Sequence, residues 1–317
     1  MTSHPRIVRY DELVPCRDAF IDTRTPGSDA KENFTLIGPG VSENPKQHIH
    51  IPEPHGFNIG AARQPAGCTN SQHSHDTAEV FYVHTGQWRF MLGEHGTDAE
   101  IFLSPGDLIS IPTQVFRGFE NVTPAGEPGA TDGFLFAVLG GDNPGRVLWA
   151  PKVFDMAKDY GLVLLDNGNL VDIGAGETVP EGAKPMPVTS AEQIAKLATF
   201  DDAALRRCCV LSGDTLTSTA DGTAGATTLI GKTAPLDWPH GFTVERVDLA
   251  PGCATEPVAL DQPEVVFCQS GGVVAHVGDE IWDLGRGDTA SIPRGAARFL
   301  RNAGETPAMI LRVRGVA

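Results

Sequence analysis

Pro54-His55-Gly56-Phe57 recurs as Pro239-His240-Gly241-Phe242, a spacing of 239 − 54 = 185 residues. The same spacing carries Gly67-Cys68 onto Gly252-Cys253, Glu79 onto Glu264 and Gly86 onto Gly271 without a gap. Farther on, Gly106-Asp107 and Pro112 correspond to Gly287-Asp288 and Pro293, now 287 − 106 = 181 apart. The lost four residues fall between Gly86 and Gly106, where the first copy carries the turn-like Gly93-Glu94-His95-Gly96. A hairpin tip is where added length costs least. A chain repeating itself in this register holds two copies of one structural unit, so its fold reduces to the fold of a single copy.

Each copy reads as short strands. Val80-Phe81-Tyr82-Val83 and Val265-Val266-Phe267 are β-branched and aromatic runs stopped by Gly86 and Gly271. Leu108-Ile109-Ser110-Ile111 and Thr289-Ala290-Ser291-Ile292 run into Pro112 and Pro293, which close them. Residues 134–139 and 309–313 have the character of closing strands. The 36 glycines and 24 prolines, spread along 317 residues, suit many strands joined by turns. Between the copies the pattern changes: residues 151–160 and 190–197 carry apolar side chains at helical spacing, with Ser190 a natural N-cap. Residues 174–187, rich in Gly and Pro, form a linker. The expected division is an N-terminal arm over 1–45, a first barrel over 46–150, a helical and linker segment over 151–200, and a second barrel over 201–317.

The balance of charge limits the function. A formal charge of −16 argues against nucleic acid as a partner, since that needs clustered Lys and Arg. No apolar run reaches the length of a membrane span, and Met1-Thr2-Ser3-His4-Pro5 lacks the apolar core of a secretory signal, so a cytoplasmic protein without membrane contact is expected. The six cysteines form no Cys-x-x-Cys pair and read as reduced thiols.

One constellation carries chemistry. Gly67-x5-His73-x-His75-x3-Glu79-x6-Gly86 resembles the first signature of the cupin superfamily at every fixed position. The second signature, Gly-x5-Pro-x-Gly-x2-His-x3-Asn, is met by Gly106, Pro112 and Asn121, with Gln114 in place of Gly and Arg117 in place of the fourth metal-binding His. In the second copy Gly287, Pro293, Gly295 and Asn302 fit, Arg298 again replaces the His, and Val258 and Leu260 replace the two histidines of the first signature. The resemblance implies an all-β chain of two tandem double-stranded β-helix (jelly-roll) barrels with a few peripheral helices, the site lying inside the barrel. It implies homodimers as well.

His73 and His75 stand two apart, so on a strand they share a face, and Glu79 has the same parity across a turn at Asp76-Thr77. Two imidazoles and a carboxylate with open positions is the donor set of non-haem Fe(II) oxygenases, although Mn, Ni, Zn or Co fit the same ligands. One divalent metal per chain is expected, Fe(II) first, because Val258 and Leu260 cannot ligate. Arg117 has no lone pair to give. It either clamps an anionic substrate, orients a ligand, or pairs with Glu79, and Arg298 beside Glu264 offers the same pairing. Gln114, His84 and His55 are the other candidates for a fourth ligand, and Arg117 with Gln114 the candidate catalytic pair. Phe81, Trp88, Phe90, Phe116 and Phe136 flank the signature, and a subset facing inward would suit a planar substrate. The leading expectation is a metal-dependent dioxygenase using dioxygen on a small aromatic or phenolic acid. The alternatives are a redox-neutral isomerase, decarboxylase or lyase, and a non-catalytic binding protein.

Overall fold

Alternating burial sorts the strands into layers. Trp88–Leu92 and Val273–Val277, equivalent in the two repeats, both bury every second residue, the mark of one face packed and one open. The computed structural model describes residues 4–124, 132–215 and 224–316. The first barrel is built from two sheets. One has seven strands in the order Cys209–Val210, Leu108–Ile111, Glu79–Thr85, Gly133–Gly140, Phe57–Gln64, Glu32–Ile37 and Ile49–Ile51. The other has five, Val147–Trp149, Thr69–His75, Arg117–Asn121, Trp88–Leu92 and Ala99–Leu103. The second barrel repeats the plan with six and three strands. Among the described residues the helices are few and short: Pro151–Asp159, with Pro at its start, Ala191–Ile194 and Asp202–Arg207. Ser190 does cap the second of these, in a full capping box with Gln193. Among the described residues no helix is long and apolar enough to cross a membrane.

The two barrels trade strands. Ile7–Val8, ahead of the first repeat, pairs with Thr289–Ile292 in the second barrel, while Cys209–Val210, ahead of the second repeat, pairs with Leu108–Ile111 in the first. The carboxylates that fix these segments also correspond: Asp288 accepts from the Tyr10 amide at 3.0 Å and Asp107 from the Ser212 amide at 2.7 Å. The recurring histidines do the same work from opposite sides. His55 Nδ1 donates to the Glu53 carbonyl and its Nε2 accepts from Ser291 Oγ at 2.7 Å; His240 Nδ1 donates to the Trp238 carbonyl and its Nε2 accepts from Ser110 Oγ at 2.6 Å. Each is a buried polar pair that costs little because it is satisfied. An apolar core runs between the barrels, where Phe136 stacks on Phe267 with ring centres 4.4 Å apart. All six cysteines are free thiols, and burial pushes Cys208 up to about 11 and Cys209 up to about 12, so neither offers a thiolate near neutral pH.

Candidate metal centre

The strand Thr69–His75 delivers His73 and His75 to the inside of the first barrel, and a bend at Asp76-Thr77 turns the chain into Glu79–Thr85, which belongs to the opposite sheet. The three side chains therefore reach the interior from both walls. His73, His75 and Glu79 are each no more than 5% exposed, and one ligand atom from each lies within 4.8 Å of the others. His75 Nε2 is 3.5 Å from Glu79 Oε1. An ion with bonds of about 2.0–2.2 Å holds neighbouring donors roughly 3 Å apart, so modest ring rotation closes the set.

The protonation states fit a cation. His73 Nδ1 donates to the Ser71 carbonyl at 2.7 Å, which keeps the Nε2 lone pair free. Burial, reinforced by the Arg117 charge, pulls the His73 ring down to about 3 and His75 well below its ordinary value, so both are neutral and able to ligate. His75 Nδ1 is buried without a hydrogen-bond partner. Such an atom bears a desolvation cost that ligation or a polar ligand relieves. Burial raises Glu79, and the adjoining guanidinium opposes the rise.

Arg117 is fully buried and spent on the protein. Its Nε and Nη2 both donate to Glu79 Oε2, at 3.3 and 3.1 Å, and Nη1 donates to the Val115 carbonyl at 3.1 Å. This leaves Glu79 Oε1 facing His75. Arg117 lies behind the carboxylate rather than on the cavity wall. Gln114 is exposed, off the cavity wall, with its backbone at φ 60° in the left-handed region that the signature's Gly would fill without strain. It supplies a turn, and its place in the expected catalytic pair finds no support in this geometry. His84 and His55 face the other barrel and do not reach the site.

The three ligands line a small cavity of about 70 Å³. Phe81 reaches it as expected, joined by Phe119 and Trp149, whereas Trp88 and Phe90 fill the barrel core, Phe116 packs near Trp149, and Phe136 faces the second barrel. Much of the remaining wall comes from the N-terminal arm and its junction with the barrel: Phe20, Asn33, Phe34, Val41, Ser42 and Gln47. Sequence patterns do not single these out, because irregular segments have no periodicity; Glu32–Ile37 alone carries a strand-like run. The same arm holds the His73 strand in place, with buried Lys31 bonded to Asp22 and to Asn70 Oδ1, and Asp22 accepting from the Ser71 amide at 3.0 Å.

The second barrel lacks the ligands and is filled differently. Val258 opposes Arg298 as His73 opposes Arg117, and Arg298 donates to Glu264 at 3.3 Å. Strand pairing sets Gly140 against Phe57 and Gly315 against Phe242, so the closing strands are related by 315 − 140 = 175 residues. Arg314 thus stands where Leu139 lines the first cavity, and it binds Glu264 from the other side.

Comparisons with known proteins agree with this architecture. A model of the cupin domain matches the sequence twice, over residues 62–126 and 245–314. No curated protein matches the chain in sequence. Among solved structures, a Lactobacillus farciminis oxalate decarboxylase in complex with formate is similar with a TM-score of 0.60 at 12% identity, over 99% of this chain and 87% of its own. A deletion mutant of Bacillus subtilis oxalate decarboxylase OxdC is similar with a TM-score of 0.59 at 10% identity, over 99% of this chain and 78% of its own. At such identities the likeness is one of fold. With a cupin match on each half and a β-barrel under each match, the chain is a bicupin of the cupin superfamily.

Proposed function

We propose that the first barrel is the active site of a metal-dependent cupin enzyme that acts on a small anionic, oxygen-chelating molecule without net oxidation, as a decarboxylase, lyase or isomerase does. The observation that carries this reading is the electrostatic state of the cavity. Both histidines are neutral, and Glu79 and Arg117 cancel. The rest of the wall is aromatic, aliphatic or neutral polar, with Asn33, Ser42, Gln47 and Asn70 as hydrogen-bonding groups. His73, His75 and Glu79 Oε1 would hold a divalent ion whose charge is then left uncompensated in a dry space, which favours an anionic ligand. When bound, that ion supplies Lewis acidity to a carboxylate or carbonyl oxygen. Arg117 opposes the rise that burial imposes on Glu79 and aims its carboxylate. Phe20, Phe34, Phe81, Phe119 and Trp149 exclude water and press on a flat molecule.

The donor set does not choose among Mn, Fe, Co, Ni and Zn. Lewis-acid chemistry works with any of these, whereas oxygen chemistry needs a redox-active one, so the redox-neutral reading asks less of the site. The similar solved structures include decarboxylases, at identities that speak for fold alone. A dioxygenase is the second reading. It is favoured by the two-His, one-carboxylate set and by a wall that, among the described residues, has no ionisable group besides the ligands to serve as a separate acid or base. Metal-loaded protein incubated with a panel of small carboxylic and phenolic acids, with and without dioxygen, separates the two. Turnover under strict anaerobiosis is the expected result. Turnover only with stoichiometric oxygen uptake would replace the proposal with the dioxygenase, and tight binding of an acid with no turnover would leave a binding protein.

A further inference from the structure

The second barrel has kept the cavity and changed its chemistry. Val247, Val258, Ala226 and Arg312 line an open pocket of about 470 Å³. By strand register and repeat spacing they correspond to Ala62, His73, Asn33 and Ala137, all of which line the metal cavity of the first barrel. Around the pocket, among the described residues, the barrel interior collects three arginines, Arg298, Arg312 and Arg314, on two glutamates, Glu245 and Glu264. Glu264 serves Arg298 and Arg314, and Glu245 serves Arg312 and Arg314, so the count leaves 3 − 2 = 1 positive charge without its own partner.

The surplus shows as unspent donors. Arg298, with its side chain only 2% exposed, has a buried Nη2 without an acceptor, and Arg312, 12% exposed, has a buried Nε without one. Uncompensated buried cations are costly, and guanidinium donors suit planar oxyanions. Glu256 on the rim is exposed and screened by water. We propose that the second barrel is a metal-free anion-binding site that takes a small monocarboxylate or similar monovalent oxyanion, with Arg312 as its recognising group. The site does not depend on the metal centre, so it stands or falls apart from the enzymatic reading.

Thermal melting in sodium acetate against sodium chloride at fixed ionic strength tests it on the full chain. Acetate at roughly ten times its dissociation constant raises Tm by about 2–4 °C. The shift persists in His75→Ala and disappears in Arg312→Gln. Val258→Glu places a carboxylate in the pocket from within; it raises the starting Tm and abolishes the acetate response, and it decides the matter if Arg312→Gln does not fold. An equal response to acetate and chloride, or an acetate shift that survives in Val258→Glu, overturns the assignment.

Discussion

His84 and Gln269 occupy the same position in the two repeats, 269 − 84 = 185 residues apart, and they bond to each other. His84 Nδ1 lies 2.6 Å from Gln269 Oε1, and Gln269 Nε2 donates to the His84 carbonyl at 3.2 Å. Phe57 and Phe242, another equivalent pair, meet with ring centres 6.0 Å apart. Residues that touch their own counterparts mark the pseudo-twofold axis between the barrels, and the axis explains why these two side chains differ. A glutamine offers both a donor and an acceptor, which a second imidazole could not present in the same way. The repeat has diverged where symmetry would have left a buried group unsatisfied.

Burial of His84, only partly offset by its bond to Gln269, makes stability depend on pH. Burial pushes the His84 ring down to about 4 from its ordinary 6.5. Between those values the unfolded chain takes up a proton that the folded chain refuses, so stability falls as pH drops from about 6.5 to 4, by roughly 3 kcal/mol from this group. His84→Gln should flatten that part of the profile. Denaturant unfolding at pH 7.5 and at pH 4.5 measures it, and identical pH slopes in the two proteins would place the titration elsewhere.

Metal content should be one equivalent per chain. His73→Ala and His75→Ala should each lower it to near zero while the chain stays folded, because apolar packing rather than an ion holds the barrel core. Elemental analysis with far-ultraviolet circular dichroism reads both quantities. Two equivalents held inside the barrels would contradict the asymmetry of the repeats, since Val258 and Leu260 offer no ligand atom.

Gln114 should tolerate glycine better than it tolerates itself. It is an exposed residue with φ at 60°, the one non-glycine with positive φ among the described residues. Gln114→Gly relieves left-handed strain, partly offset by the greater freedom of the unfolded chain, for a net gain of about 0.5–1 kcal/mol. A loss of activity at constant metal content in this variant would return Gln114 to the site.

The first signature is legible because its ligands are spaced by strand geometry: parity puts His73 and His75 on one face of a strand, and the short bend at Asp76-Thr77 brings Glu79 back toward them from the opposite sheet. Gln114 also carries a readable signal, and it points to a turn rather than to catalysis, since a position where glycine is usual is one of special backbone conformation. The strand exchange is not legible. Ile7–Val8 and Cys209–Val210 are two residues long, too short for any period, and their partners lie in the opposite repeat. Nor is Arg314, because a second change in repeat spacing, from 181 to 175, hides its correspondence with Leu139 until strand register reveals it.

The arginines behind the two glutamates should separate positioning from mere packing. Arg117 is the sole cation on Glu79 among the described residues, whereas Glu264 has Arg314 as well as Arg298. Arg117→Met therefore strands a buried carboxylate. The chain then either loses about 3–5 kcal/mol or escapes by protonating Glu79, which removes a ligand. A protonated Glu79 should hold the ion at least tenfold more weakly, with Arg117→Lys restoring part of the affinity, whereas a Glu79 left ionised draws the cation more tightly. Arg298→Met leaves Glu264 paired, so it should cost less stability and leave metal affinity unchanged. Because Arg117 is off the cavity wall, KM in a metal-saturated assay should move little in Arg117→Lys. Metal titration and thermal melting of the three variants provide the comparison. Equal losses of stability in the two methionine variants with unchanged metal affinity would reduce Arg117 to a packing element, and a KM raised tenfold or more at full metal occupancy would restore it as a substrate clamp.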